Sequence, residues 1–142
     1  MTFTEYVTVL NVNVPPGRNT GYHIHSTPFH NISFILRHPG PDAFTSSSRA
    51  GVRGYTQMLD TERVRGWRVV LEPGQSTGEI TQQAPGLRIV IDGGVLAEIV
   101  PGRADRGMSP RSGDFLWQDA GTTRTLRNTG TTRIEFVEFE LK

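Results

Sequence analysis

The feature that most constrains this chain is a rhythm. Strand-length runs rich in Val, Ile and Phe recur throughout, each closed by a turn containing Gly or Pro. The runs predict strands near residues 6–14, 21–25, 31–37, 64–71, 79–82, 87–92, 95–100, 114–118, 123–128 and 133–141. The turn signals between them are Pro16-Gly17, Pro73-Gly74, Asp92-Gly93-Gly94, Pro101-Gly102, Ser112-Gly113 and Thr129-Gly130. No segment sustains a 3.6-residue period, so helix is expected to be scarce and the fold all-β. The last run, RIEFVEFEL, alternates Ile134, Phe136, Val137 and Phe139 with glutamates. Its break at Phe136-Val137 points to a bulge or to two buried faces. Residues 38–54 (HPGPDAFTSSSRAGVRG) have loop composition and read as a linker.

Composition narrows the chemistry. The chain has 142 residues and no cysteine, which excludes disulfides, cysteine-ligated zinc, iron–sulfur clusters and thiol nucleophiles. Its length suits one domain, or one domain and a fragment. No apolar run is long enough for a membrane span, and residues 1–10 carry Glu5 and no basic region, so a cytoplasmic protein is expected. The formal charge of +1 offers no footprint for nucleic acid. Nearly all the cations are arginines, since Lys142 is the only lysine. They are scattered along the chain, either as a compositional bias or as forks for a carboxylate or phosphate.

The chain also repeats itself. Residues 7–25 align without gaps on residues 64–82: Val7 meets Val64, Val12 meets Val69, Pro16-Gly17 meets Pro73-Gly74, and Thr20-Gly21 meets Thr77-Gly78. Residues 26–36 then align on 131–141, with Thr27 on Thr132, Ile32 on Val137, Phe34 on Phe139 and Leu36 on Leu141. The N-terminal segment thus reads as the two ends of the C-terminal domain, joined between His25 and Ser26, with the counterpart of residues 83–130 missing. The domain reading is a degenerate partial repeat at 1–37, a linker at 38–56 and a complete barrel at 57–142.

Within residues 57–142, Gly74, Ile80, Gln82, Gly86 and Gly93, and then Gly113, Asp119, Gly121, Arg124 and Asn128, fall on the spacing of two sequence motifs, and on these residues the segment resembles the cupin superfamily. The family's first motif places G, five residues, H-x-H, three or four residues, E, six residues and G; here Gly74, Ile80, Gln82, Gly86 and Gly93 fall on that spacing. Its second motif is G, five residues, P-x-G, two residues, H, three residues and N, matched by Gly113, Asp119, Gly121, Arg124 and Asn128. The resemblance implies a double-stranded β-helix, a jelly-roll barrel, with an N-terminal β-strand extension. It also implies metal ligands at positions that here are Ile80, Gln82, Gly86 and Arg124. Ile and Gly supply no ligand and Arg is a permanent cation, so no metal is expected in this barrel. Arg124 and Gln82 should face its interior, with Arg88, Trp117 and Gln118 on neighbouring strands. Two readings stand for this group. It is an anion pocket in which Arg124 clamps a carboxylate, or Arg124 is paired internally with Glu79 or Asp119, or lies at the rim, in a barrel packed shut.

All four histidines lie between residues 23 and 38. His23-Ile24-His25 falls on the H-x-H position of the truncated copy, following Gly17 at the matching interval. Both imidazoles share a strand face, and a hairpin loop at residues 26–29 would set His30 across from His25. Three such imidazoles are a set that iron, manganese, nickel or zinc can use. His38 precedes Pro39 and is expected at the surface.

The functional expectations follow. The first is a cupin-fold protein without metal in its barrel, binding a small anionic molecule or serving a structural role. The alternative is a metal-dependent oxygenase or isomerase acting on a small organic acid through His23, His25 and His30. A regulatory sensor ranks last, because no DNA-binding element accompanies the barrel. A few N-terminal strands cannot bury much by themselves. A homodimer formed by β-sheet extension is therefore expected, with neither nucleic acid nor membrane as partner.

Overall fold

A computed structural model describes residues 2–3, 7–14, 29–36 and 47–142. The chain divides into two compact units, Met1–Pro39 and Gly40–Lys142. Among the described residues there is no helix, so none is long and apolar enough to cross a membrane.

The second unit is built from β4 (Tyr55–Asp60), β5 (Val64–Leu71), β6 (Ile80–Thr81), β7 (Gly86–Asp92), β8 (Leu96–Ile99), β9 (Arg106–Met108), β10 (Phe115–Gln118), β11 (Thr123–Asn128) and β12 (Ile134–Leu141). They form a five-stranded sheet in the order β10-β7-β12-β5-β4 and a four-stranded sheet in the order β6-β11-β8-β9. Every pairing is antiparallel. Period-two alternation decides what each strand buries. Trp67, Val69 and Leu71 of β5 and Ile134 and Phe136 of β12 meet Ile80, Leu96 and Leu126 of the other sheet in one core. The turn at Pro73-Gly74 needs its glycine, whose φ of 81° is left-handed.

The strands at 64–71 and 123–128 lie where the alternation predicts them. The irregularity expected in the last strand is also present. The β12–β7 register shifts between Glu135 and Phe136, leaving Ile91 as the extra residue on β7. Phe136 and Val137 are both buried although they point to opposite faces.

Two strands of this unit have no counterpart in the sequence reading. β4 (YTQMLD) buries only Tyr55, and β9 has three residues. Both are edge strands, held by the ladder of one neighbour, so no alternating apolar pattern is needed to form them. The boundary placed at residue 57 moves as well. Residues 47–56, read as linker, hold the turn at 47–54 and the start of β4, and Arg49 is fully buried.

The first unit contains β1 (Thr2–Phe3), β2 (Val7–Val14) and β3 (Phe29–Leu36), in the order β1-β2-β3. Its register matches part of the barrel. β2 and β3 pair from Val7↔Leu36 to Val14↔Phe29, and β5 and β12 pair from Val64↔Leu141 to Leu71↔Ile134. The gapless sequence alignment carries one set of eight pairs onto the other. The same offset carries Thr2↔Val9 and Phe3↔Thr8 onto Leu59↔Gly66 and Asp60↔Arg65. The expected loop at 26–29 is corrected at its end: Phe29 belongs to β3 opposite Val14, and His30 is opposite Asn13. The strand expected at 21–25, with His23 and His25, lies outside the described residues, as does His38.

Candidate functional site

The interior face of the five-stranded sheet changes character along β12. Ile134, Phe136, Glu138 and Glu140 share one parity and all four are buried. The first two join the apolar core, while the last two place carboxylates inside the barrel. Glu138 stands between Trp67 of β5 and Arg88 of β7 in register.

Three arginines from three different elements converge on this acid. Arg88 donates from Nε and Nη2 to Glu138 Oε1 at 2.9 and 2.7 Å. Arg49, from the turn before β4, donates from Nε and Nη2 to Glu138 Oε2 at 2.8 and 2.6 Å. Arg124, on β11 of the other sheet, brings Nη2 to 3.4 Å from Glu138 Oε1 and to 2.9 Å from Gln82 Oε1. Gln82 Oε1 also accepts from Arg49 Nη2 at 2.6 Å. Glu140 accepts from Arg49 Nη1, Ser47 Oγ and Trp67 Nε1 at 2.5, 2.9 and 2.8 Å. Glu98 lies 3.7 Å from Arg124 Nε. Aromatic faces complete the set, with Arg49 over Tyr55 at 5.5 Å and Arg88 over Phe136 at 5.1 Å.

Buried charges survive only when paired and hydrogen-bonded. Burial by itself pushes the Glu138 carboxyl up, but the Arg88, Arg49 and Arg124 guanidiniums outweigh it and hold it below the usual carboxylate range. Burial lowers Arg49, and Glu138 and Glu140 more than restore it. Arg124 stays lowered, by burial and by its two guanidinium neighbours, with Glu138 opposing. Burial and the adjacent Glu138 raise the Tyr55 hydroxyl.

Of the residues singled out from sequence, the structure brings Arg124, Gln82 and Arg88 together. Arg124 has a carboxylate partner, but it is Glu138, with Glu98 nearby, rather than Glu79 or Asp119. Gln118 is buried opposite Gly86, and its amide turns back to Trp117 O at 3.3 Å. Trp117 points to the other face of β10 and donates to Asp119 Oδ1 at 2.9 Å, so it does not line the cluster. Gly86, at the family's glutamate position, has a steric reason to be glycine: a Cβ there would stand 1.9 Å from Phe139 O. Among the described residues no group of three His, Cys, Asp or Glu is placed to hold a metal ion.

The sequence reading missed Arg49, Glu138 and Glu140. Nothing around Arg49 marks it, because TSSSRAG has the composition of any exposed loop. The glutamates carried a signal, the parity they share with Ile134 and Phe136. A cleft of about 500 Å³ lies elsewhere, lined by Arg53, Gly54, Val70, Leu71, Gly74, Gln75 and Ser76. Its one cation, Arg53, is already engaged by the Ser76 and Thr77 carbonyls.

Two facing antiparallel sheets closed around a single interior, with motif glycines at the turns, define a cupin-type double-stranded β-helix. Comparison with solved structures bears this out. A cupin domain from Bordetella pertussis Tohama I is similar at 24% identity with a TM-score of 0.58, over 62% of this chain and 91% of that one. An RmlC-like cupin family protein with a double-stranded β-helix fold, from Methanocaldococcus jannaschii, is similar at 12% identity with a TM-score of 0.54, over 75% and 92%. An uncharacterised conserved protein with a double-stranded β-helix domain from Klebsiella pneumoniae reaches 18% identity and a TM-score of 0.50, over 61% and 81%. The likeness at these identities is one of fold. No protein-family model and no curated protein matches the chain.

Proposed function

We propose that this is a cupin-fold protein whose barrel works without a metal, in a structural and assembly role rather than a catalytic one. One observation carries the reading. The barrel interior at Gln82 and Arg124, where the cupin resemblance implies metal ligands, is filled by Arg49, Arg88 and Arg124 on Glu138 and Glu140. Three fixed cations repel a divalent ion, and both carboxylates are already neutralised. An anionic small molecule would meet arginines that already hold carboxylates, so the cluster favours the structural role over anion binding.

The assembly part of the proposal rests on the first unit. In the barrel, β12 has β5 on one side and β7 on the other. Its counterpart β3 has β2 on one side, and no strand on the other among the described residues. Such an edge is a template for strand addition, and a second copy of this chain is the partner proposed.

The test of the barrel is metal analysis of the purified chain, carrying His23→Ala, His25→Ala and His30→Ala, after loading with iron, manganese, nickel and zinc. No retained metal is expected, and a stoichiometric ion would refute the reading. Metal retained by the native chain but lost in that variant would favour the histidine-based enzyme instead. Light scattering of the full chain and of a chain lacking residues 1–39 tests assembly. A dimer reduced to monomer is expected, and unchanged mass would remove the sheet-extension role.

A further inference from the structure

One member of the buried cluster is supplied by no strand. Arg49 comes from the turn at residues 47–50, ahead of every strand of the barrel, yet it is fully buried. It sits as a free guanidinium would. Four of its five N–H donors are engaged: two on Glu138 Oε2, one on Glu140 Oε1 and one on Gln82 Oε1, and the Tyr55 ring lies beneath it. These acceptors come from β12 and from the residue after β6, while the aromatic face comes from β4. The turn is joined to the barrel largely through side chains, since Ser47 Oγ donates to Glu140 and Ser48 Oγ to Thr81 O.

We infer that the barrel interior is a guanidinium-binding site, and that the chain's own Arg49 is its resident occupant. Without Arg49, Glu138 Oε2 has no hydrogen-bond donor among the described residues, because both of its contacts there are to Arg49. Among the described residues Glu140 Oε1 then keeps Ser47 Oγ alone, and Gln82 Oε1 keeps Arg124 alone. Three oxygens from three residues then face one space above an aromatic ring. That set matches the flat fork of a guanidinium, which donates to several in-plane acceptors and stacks on an aromatic face. A compact divalent ion suits it poorly, because Arg88 and Arg124 remain beside it. The buried Tyr55 hydroxyl makes no hydrogen bond among the described residues, which leaves a donor at the site for an acceptor on a larger occupant. The ligand class is therefore a guanidino group, either a small guanidino compound or the arginyl side chain of a protein segment, competing with the 47–50 turn.

This inference rests on the metal-free reading of the barrel, but the two fail separately. Metal in the barrel would sink the earlier reading whatever guanidinium does. The test here uses the full-length Arg49→Gly variant with ethylguanidinium at low millimolar concentration, followed by calorimetric titration and thermal melting. The expected result is one site per chain, binding at least ten-fold tighter than to the native chain, together with a rise in melting temperature. Urea and potassium chloride at the same concentration should do neither. Adding Glu138→Gln to the variant should abolish the binding. An acetylated, amidated Ser-Ser-Arg peptide separates the sources: tighter binding than ethylguanidinium assigns a protein segment, and equal binding a small guanidino compound. A folded Arg49→Gly chain that binds neither probe overturns the inference. So does equal binding by the native chain. Should Arg49→Gly be unfolded alone, recovery of a cooperative melt with ethylguanidinium but not urea supports the site, and failure to recover overturns it.

Discussion

Replacing Glu138 by Gln is the sharpest perturbation of this molecule, because it changes one oxygen to an amide nitrogen with little change of shape. Glu138 accepts from Arg88 on Oε1 and from Arg49 on Oε2, two hydrogen bonds on each oxygen within 2.9 Å. The glutamine keeps one acceptor oxygen and turns an NH2 group toward one of the two guanidiniums. Either orientation loses two charge-assisted bonds, at about 1.5–3 kcal/mol each. Removing one partner of a buried ion pair costs about 3–5 kcal/mol, which agrees. The expected loss is therefore about 4 kcal/mol, a fall in Tm of about 15–25 °C for a domain this size. Urea is the denaturant for the assay, since guanidinium would compete for the same groups. Midpoints and slopes followed by circular dichroism give the difference by linear extrapolation. Arg88→Met should cost less in the Glu138→Gln background than in the native chain, because the partner is already gone. A loss below about 1 kcal/mol, or full additivity of the two changes, would refute the claim that buried, mutually dependent charges fill the barrel.

Acid should destabilise the protein through the same residue. The folded-state pKa of Glu138 is depressed from its ordinary 4.5, so its stabilisation is complete above that value and is lost as pH falls toward the folded one. The expected slope is about 1.4 kcal/mol per pH unit below pH 4.5; equal slopes for the native chain and Glu138→Gln would count against it. Gly86→Ala should cost about 3 kcal/mol, because its Cβ meets the Phe139 carbonyl and β12 must move. A near-native urea midpoint would show that the strands are not so closely paired. Asn128→Ala should cost about 3 kcal/mol, since its buried amide bonds Leu71 O, Thr132 O and Gly130 N at 2.9, 2.8 and 3.0 Å. Thermal melting of that variant checks the figure, and a loss below about 1 kcal/mol would mean that water replaces those bonds.

Local pattern determined a good deal here. Alternation in residues 64–71, 123–128 and 133–141 and the Gly-containing turns between strands are properties of neighbours in sequence, and they were enough for an all-β barrel. The motif spacing from Gly74 to Asn128 was enough for its cupin type. The gapless alignment of residues 7–14 and 29–36 on β5 and β12 agrees with the pairing register that the structure gives both pairs, because a one-residue slip would turn every side chain to the wrong face. Edge strands β4 and β9 escaped, since one neighbour's ladder holds them. The site was half legible. Gln82, Arg88 and Arg124 could be placed inside the barrel by position, but their partners could not. Glu138 and Glu140 share the core-facing parity of Ile134 and Phe136, but their partners come together only once β12 lies between β5 and β7. Arg49 looked like part of a loop, because a charge is admitted to an interior only where distant residues supply its counter-charges. That condition concerns groups 33 to 91 positions apart. The alternation of one strand can therefore be read from its own residues, whereas the pairing of Arg49 with Gln82, Glu138 and Glu140 exists only once the sheets have closed.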